Sequence, residues 1–295
     1  MFNKTSAALG MFDGVHIGHR RVLELALKNA ENGCIPTIFT FEPYTVLKKP
    51  TGFGGYIYTD AEKRRILEGM GFDRVYSAVF GDICGLSGEE FARDILADKM
   101  NAASVCCGNN FRFGKNASCG TAELCRLGKK YGFQVHIAED ALLDGEIVSS
   151  GEIRRLLAAG DISRANALLG APYAISAEVV RGAALGRTIG FPTANQLFED
   201  NQLVPKFGVY RAETEIDGIT YAAMTNIGVK PTVHYGGKPL AETYISGFSG
   251  DIYGRFIQVK LLEFIRPEKK FNSVEELKNQ INDDMNIVVC KKTIV

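Results

Sequence analysis

The 295 residues include 34 Lys or Arg and 34 Asp or Glu, so the formal charge is zero. A neutral chain lacks the positive field that holds a nucleic-acid backbone, so no nucleic-acid partner is expected. Seven cysteines without zinc spacing predict reduced thiols, and no apolar run reaches the length of a membrane span. We therefore expect a cytoplasmic protein with no membrane partner, long enough for two domains.

The first half of the sequence alternates β-rich runs with amphipathic runs. A strand-like run at 7–12 leads into a helix-like run at 20–31, and the alternation continues to residue 137. Strand and helix in turn predict a parallel sheet with helices on its faces, a Rossmann-like α/β fold. Ligands of such sheets bind beyond the carboxyl ends of the strands. The turns at 10–19, 41–43 and 108–111 should therefore meet at one cleft.

The stretch from Gly10 to His19 lies where the first strand passes into the first helix. It holds two of the four histidines, His16 and His19, flanked by Gly14 and Gly18. Backbone N–H groups and the positive end of the helix dipole favour an anion there, and a triphosphate is predicted. Two alternatives remain open, a metal bound by both imidazoles and a pair of histidines that only begin the helix.

Residues 148–154, Val-Ser-Ser-Gly-Glu-Ile-Arg, open another predicted helix. Arg154 there suits phosphate, because a guanidinium forks onto phosphate oxygens, although a solvated helix face is the alternative. Helix breakers at 160–161 and 170–172 then mark the end of the first half. The predicted limits are 1–158 for the first domain, 159–171 for a helical linker and 172–295 for the second domain.

From residue 173 onward, strand-like runs follow one another without intervening helices. Asp217-Gly218 between two of these runs is a type I′ hairpin signal. A small closed antiparallel barrel is therefore predicted, because closure removes the sheet edges. A last helix is predicted from Ser273. Its apolar stripe, expected to pack on the barrel, consists of Val274, Leu277, Ile281 and Met285.

Glycines at 182, 186 and 190 lead into Phe191-Pro192-Thr193-Ala194-Asn195. Glycines let main-chain N–H groups approach phosphate oxygens, and a Thr hydroxyl is a hard ligand of the kind that Mg²⁺ takes. A phosphate and magnesium turn is predicted, with an ordinary β-turn as the alternative. Phosphoryl transfer to an alcohol would also need a base. Spacing alone leaves Glu242, Asp251 and Glu263 as candidates.

Together these motifs resemble the bacterial bifunctional riboflavin kinase/FAD synthetase family over nearly the whole chain. The resemblance rests on Gly-x-Phe-Asp-Gly-Val-His-x-Gly-His at 10–19, Val-Ser-Ser-x-x-Ile-Arg at 148–154, Gly-Arg-Thr-x-Gly-Phe-Pro-Thr-Ala-Asn at 186–195, Asn226-Ile227-Gly228 with Pro231-Thr232, and Asp251-Ile252-Tyr253-Gly254. It implies an FMN adenylyltransferase (FAD synthetase) domain followed by a riboflavin kinase barrel. Riboflavin, FMN, FAD and ATP would be its ligands and Mg²⁺ its cofactor.

The resemblance also implies roles for single residues. Glu242 would be the catalytic base of the kinase, Thr193 would ligate Mg²⁺, and Asn195 would hold nucleotide or flavin. His16, His19 and Arg154 would hold the triphosphate in the first domain. The other implied ligands of ATP are Gly10, Phe12, Asp13, Gly14, Ser149, Ser150, Gly186, Arg187, Thr188, Gly190 and Pro192, and those of FMN are Asn110 and Phe111.

Several residues of the first domain depart from the family pattern. Met11, Glu42 and Tyr44 replace the family's usual residues, and Gly151 stands where the family has a Thr hydroxyl beside the phosphates. Residues 51–58 also match poorly. Two alternatives therefore stand beside the bifunctional enzyme, namely a flavokinase whose first domain has lost its chemistry and a flavin-binding regulator without turnover. The products formed from riboflavin and ATP distinguish the three.

Overall fold

The computed structural model describes residues 4–31, 33–42, 54–182, 186, 189–229 and 237–290. The chain folds as two compact units, which meet along the sequence between Ser150 and Gly151. Residues 54–59 belong with the second unit. The domain limits at 158 and 171 stay a prediction. No helix within the described residues is long and apolar enough to cross a membrane.

The first unit is built on a parallel sheet of five strands in the order β3-β2-β1-β4-β5. This confirms the predicted α/β fold. The strands are β1 (Thr5–Leu9), β2 (Ile35–Phe41), β3 (Arg74–Ala78), β4 (Ala102–Gly108) and β5 (Gln134–Ala138), and a short hairpin of β6 (Leu142–Leu143) and β7 (Glu146–Ile147) follows. The helices are α1 (Ile17–Ala30), α2 (Asp60–Gly69), α3 (Phe80–Ile83), α4 (Gly88–Glu90) with a π-helical continuation (Phe91–Lys99), a 3₁₀ turn (Lys115–Ala117) and α5 (Thr121–Tyr131).

Both faces of this sheet are buried. Successive residues of β1 point to opposite sides, so Ala7 and Leu9 pack with Phe91, while Ala8 packs with Leu23 of α1. A sheet covered on both faces needs continuous apolar strands, which is the pattern that the sequence shows. The position of α1 on one face brings its N-terminus to the carboxyl end of β1, where the His pair lies.

The second unit contains an antiparallel sheet of six strands in the order β8-β13-β10-β11-β12-β9. Asp217 and Gly218 have φ angles of 52° and 77°, which confirms the predicted type I′ hairpin. The strands are β8 (Tyr173–Glu178), β9 (Thr193–Leu197), β10 (Gly208–Ile216), β11 (Ile219–Val229), β12 (Pro239–Ile245) and β13 (Phe256–Arg266), and the helices are α6 (Ser150–Ala159), α7 (Ile162–Leu169) and α8 (Val274–Cys290).

The six-stranded sheet curls until its two edge strands approach each other. The N–H of Val180 donates to the carbonyl of Asn195 at 2.8 Å, which forms an isolated bridge rather than a ladder. The buried amide of Gln196 donates across the same gap to the carbonyls of Ala177 and Ile257, each at 2.9 Å. The structure is thus a curled antiparallel half-barrel whose edges are bridged by these contacts, which confirms the predicted β fold of the second unit.

Helix α8 packs on the outside of the curled sheet. Ile281 and Met285 contact a buried cluster that contains Met224 of β11. Val274, however, is 57% exposed, so the predicted stripe was wrong at its first residue, which begins the helix. The carboxylate of Asp284 is buried and accepts the guanidinium of Arg266 at 2.8 Å. One apolar stripe and one buried ion pair therefore hold α8.

Candidate active sites

A tight turn joins β1 to α1. The predicted strand at 7–12 ends already at Leu9, because Phe12, Gly14 and Val15 all have positive φ angles, of 50°, 87° and 41°. A β-branched residue such as Val15 rarely adopts this conformation, and such strain is concentrated at functional sites. The turn is closed by a hydrogen bond of 3.2 Å from the N–H of Val15 to the carbonyl of Phe12.

Ser150 fixes this turn from its other side. Its hydroxyl donates to the carbonyl of Asp13 at 2.9 Å. The predicted phosphate ligand Ser150 thus positions the backbone beside the His pair. The side chain of Asp13 is itself buried, at 6% exposure.

His16 and His19 lie at the N-terminus of α1, as the motif predicts. His16 is the N-cap residue, and its Nδ1 accepts the N–H of His19 at 3.2 Å. The two rings stack with their centroids 3.6 Å apart. Gly18 makes room for this arrangement, because a Cβ there would lie 3.2 Å from the His16 ring. Since Nδ1 accepts, the neutral His16 ring carries its proton on Nε2 and can donate from that atom.

A pocket of about 870 Å³ lies at the carboxyl ends of the central strands. The exits of β1, β2, β4 and β5 all contribute to its wall, in agreement with the cleft that the strand order predicts. The predicted site residues that line it are Gly10, Phe12, His16, His19, Asn110, Phe111, Ser149 and Ser150.

One part of this pocket is aromatic. The rings of Phe41 and Phe80 meet edge to face at 5.2 Å, and those of Phe111 and Phe113 stack at 5.8 Å. Phe91 lies within 5.6 Å of Phe113, so the rings form a nearly continuous wall. Such a wall suits a flat aromatic ligand. The pocket therefore combines a polar end at the His pair with an aromatic end.

Sequence reasoning missed two cations of this unit. Arg112 lines the pocket between Phe111 and Phe113. Lys63 on α2 is only 12% exposed and lies 3.5 Å from Asp60. Burial lowers the pKa of Lys63, while Asp60 and Asp13 oppose that shift. The Phe-x-Phe-Gly loop was a usable signal for Arg112, whereas Lys63 follows a segment that fits the family poorly.

In the second unit Glu242 stands in a row of three side chains on neighbouring strands. Its direct partners are Asn226 on β11 and Asn195 on β9, so the three point to one face of the sheet. The opposite face is closed by buried Thr225 and Thr243, whose hydroxyls are 2.9 Å apart. Glu242 is half-buried. It therefore lies on the outer face with polar neighbours on both sides.

Thr193 and Tyr244 form the next row on the same outer face. Met224 is the β11 residue of that row and belongs to the cluster that α8 covers. The outer face around Glu242 is therefore the face against which α8 packs. The ring of Phe191 meets that of Tyr244 edge to face at 5.3 Å, which brings the Gly-Phe-Pro segment to this row.

The residues after the predicted glycine-rich turn form a strand in the structure. Thr193 and Asn195 lie on β9 rather than in a turn, because β9 pairs with β12 along its whole length. The glycines pack directly on these side chains. A Cβ at Gly182 would lie 2.7 Å from the amide of Asn195, and one at Gly186 would lie 2.2 Å from the carbonyl of Phe191 and 3.6 Å from the Thr193 hydroxyl.

Only glycine therefore fits at Gly186, where a Cβ would meet a backbone carbonyl, whereas a Cβ at Gly182 would force the side chain of Asn195 to shift. Gly190 has a φ of 91°, which also favours glycine, and Pro192 is exposed. The predicted ligands Arg187 and Thr188, like Pro231 and Thr232, lie outside the described residues. No group of three His, Cys, Asp or Glu side chains suited to a metal occurs among the described residues.

Glu263 and Asp251, the other two candidates for the catalytic base of the kinase, each contact a neighbouring group of the protein. Glu263 lies 3.5 Å from Arg211, and Asp251 accepts the N–H of Tyr253 at 3.0 Å. Arg154, on α6 of the second unit, donates from Nε to the carbonyl of Gly55 at 3.0 Å. Its implied contact with a triphosphate stays a prediction.

The fold and these sites define a nucleotidyltransferase-type α/β unit followed by a β half-barrel unit. Two family models match the chain, FAD synthetase over residues 1–152 and Riboflavin kinase over residues 169–290. A bifunctional riboflavin kinase/FMN adenylyltransferase of Pseudomonas fluorescens is 36% identical over 95% of this chain and 90% of that protein. One from Bacillus subtilis is 34% identical, with the same coverage.

A crystal structure from Streptococcus pneumoniae, described as a macrolide-efflux protein, superposes with a TM-score of 0.84. It is 30% identical and is matched over 98% of this chain and 94% of that chain. Both family models and the curated relatives agree over nearly the whole length. The chain belongs to the bifunctional riboflavin kinase/FMN adenylyltransferase family.

Proposed function

We propose that this chain makes FAD from riboflavin in two ATP-dependent steps, one in each unit. The observation that carries the proposal is that the His pair and the aromatic wall line one pocket of the first unit. The second unit, for its part, holds the row of Glu242 with Asn195 and Asn226. The first step gives FMN in the β half-barrel. The second gives FAD in the α/β unit.

In the kinase step Glu242 acts as the base. The 5′-hydroxyl oxygen of the ribityl chain attacks the γ-phosphorus of ATP, its proton passes to Glu242, and ADP leaves. Asn195 and Asn226 flank the carboxylate and orient the substrate by hydrogen bonds. The outer face under α8 receives the flavin.

Mg²⁺ would bind in the kinase site at the hydroxyl of Thr193. The hydroxyl of Thr193 would supply one oxygen ligand. The absence of a side chain at Gly186, next to this hydroxyl, would let the main chain approach the phosphates of ATP. With no cluster of carboxylates among the described residues, the ion would take its other ligands from ATP phosphates and water. When bound, it neutralises charge that develops on the transferred phosphoryl group.

In the adenylylation step the pocket of the first unit binds FMN and ATP together. An FMN phosphate oxygen attacks the α-phosphorus of ATP, the bond to the bridging oxygen breaks, and pyrophosphate leaves. His16 donates from Nε2 to the triphosphate, and His19 and the α1 N-terminus add positive potential. Asn110 and Phe111 hold the flavin.

Gly151 removes a family hydroxyl at this site, yet the turn that it neighbours is held by Ser150. The adenylyltransferase chemistry therefore keeps its main elements, which favours the bifunctional enzyme over a flavokinase with a silent first domain. The seven free cysteines fit a reducing compartment, and we place the reaction in the cytoplasm.

A product chromatogram tests the proposal. Purified protein with riboflavin, ATP and Mg²⁺ should yield FMN, then FAD and pyrophosphate, and chelation of the metal should stop both steps. FMN without FAD would identify the flavokinase alternative. Unchanged riboflavin would contradict the kinase activity. If, in addition, supplied FMN gave no FAD, both activities would be contradicted and the flavin-binding regulator would be left.

A further inference from the structure

Arg112 gives the pocket of the first unit a positively charged side chain. Among the described residues that line this pocket, it is the one Lys or Arg. Glu139 and Asp140 also line the pocket, so the other charged side chains of this lining are acidic. Both substrates of the proposed adenylylation carry phosphate, and FMN brings a dianion that must be held while it attacks.

The guanidinium of Arg112 is held by a built contact. Its Nε donates to the carbonyl of Ala117 at 3.0 Å. Asn116 and Ala117 have φ angles of 57° and 54°, so the backbone adopts a rare conformation where it accepts this bond. Gly120 leaves room for the group, because a Cβ there would lie 3.3 Å from Nη1 of Arg112.

Arg112 is exposed, and its Nη1 lies beside Gly120. Within the described part of the chain no carboxylate pairs with its guanidinium, whereas Arg126 nearby is paired with Glu123 at 2.8 Å. A guanidinium tied through Nε presents its two Nη groups as a fork, the geometry that binds phosphate with two hydrogen bonds.

Neighbouring residues indicate which phosphate is bound. In the sequence Arg112 separates Phe111 from Phe113, whose stacked rings belong to the aromatic wall, and Arg112, Phe111 and Phe113 all line the same pocket. The His pair lies on the β1 turn, at a different strand exit. We propose that Arg112 binds the 5′-phosphate of FMN and so selects the phosphorylated flavin for adenylylation. This inference rests on the proposed function of the first unit.

The test compares Arg112→Gln with the wild-type full-length protein. We expect the KM for FMN in adenylylation to rise roughly 10- to 100-fold, as for loss of a hydrogen bond to a charged group. The KM for ATP and the rate of riboflavin phosphorylation should stay within about twofold. Arg112→Lys keeps the charge but not the fork and should fall between the two.

Lumiflavin, an isoalloxazine without a ribityl chain or phosphate, separates phosphate recognition from loop damage. As a competitor of FMN it should keep its inhibition constant in Arg112→Gln. Lys115→Gln is the matched control, because it removes one positive charge from the same loop without lining the pocket, and it should behave as wild type.

Two results would overturn the inference. One is an unchanged KM for FMN in Arg112→Gln. The other is a joint loss of FMN, ATP and lumiflavin binding, which would assign Arg112 to the structure of the loop. Wild-type protein that makes no FAD from supplied FMN would instead contradict the proposed function itself, so the two failures are distinguishable.

Discussion

His16 combines a structural and a chemical role in one imidazole. Its Nδ1 caps α1, which leaves Nε2 as the atom that donates. Stacking on His19 and the space above Gly18 fix the plane of the ring. Because the cap requires an unprotonated Nδ1, the role that we propose for His16 toward the triphosphate is that of a hydrogen-bond donor rather than of a full cation.

The two roles of His16 are separable by substitution. His16→Asn keeps an N-cap oxygen and should leave the free energy of unfolding nearly unchanged, whereas His16→Ala should lower it by about 0.5–2 kcal/mol. Both should slow FMN adenylylation by roughly 10²- to 10³-fold, because the donor is lost. Urea unfolding and FAD formation measure the two effects. An Asn variant with wild-type adenylylation would disprove the chemical role.

Glu242 is the residue that the kinase proposal depends on most. Glu242→Gln keeps the size of the side chain and removes its basicity, so riboflavin phosphorylation should fall by roughly 10²- to 10⁴-fold while FAD formation from supplied FMN survives. Asp251→Asn serves as the control, since Asp251 already accepts a backbone N–H. Normal FMN production by Glu242→Gln, or a matching loss in the control, would reject the assignment.

At the residue scale, motifs with fixed local geometry could be read from the sequence. The I′ hairpin at Asp217 and the capped helix after the His pair depend on neighbours within a few positions. The Phe-x-Phe-Gly motif indicates the loop that carries Arg112, but it does not predict the role proposed for Arg112, because the pocket that this residue lines is built from four distant strand exits.

Strand β9 shows how non-local pairing overrides local signals. Gly190, Pro192 and Asn195 favour a turn, yet five consecutive residues pair with β12. This pairing places Asn195 opposite Glu242 and Thr193 opposite Tyr244. The alternation of polar and apolar residues on β12 does predict which side chains share a face. It cannot predict which strand lies beside them, since pairing partners are set by the topology of the whole sheet.

Helix α8 is the element that covers the proposed flavin face. Its anchor is the buried pair of Asp284 with Arg266, to which Gln280 adds a hydrogen bond of 3.1 Å. Asp284→Ala should lower the free energy of unfolding of the second unit by up to about 3–5 kcal/mol, because the half-buried guanidinium of Arg266 loses its carboxylate partner.

We expect the same substitution to raise the KM for riboflavin, since the outer face around Glu242 loses its cover. Glu275→Ala on the exposed side of α8 is the matched control and should cost at most about 1 kcal/mol. Urea unfolding followed by circular dichroism measures both variants. Equal stability of the two would show that the ion pair does not hold the helix.

At the scale of the whole molecule, each site is formed by residues of a single unit. The pocket of the first unit draws its described lining from residues 9 to 150, and the kinase row comes from β9, β11 and β12. Because the two sites share no side chain, a substitution that removes the activity of one site should leave the activity of the other unchanged. FMN is then the only chemical link between the two reactions.

Mixing two defective proteins tests this independence. His19→Ala should make FMN but no FAD, and Glu242→Gln should make FAD only from supplied FMN. An equimolar mixture should therefore convert riboflavin to FAD after a lag during which free FMN accumulates, because the intermediate must leave one molecule and enter another. Chromatography over time follows all three flavins. If each variant retains its own half-reaction but the mixture forms no FAD, FMN does not exchange between molecules, and the two sites act only within one chain.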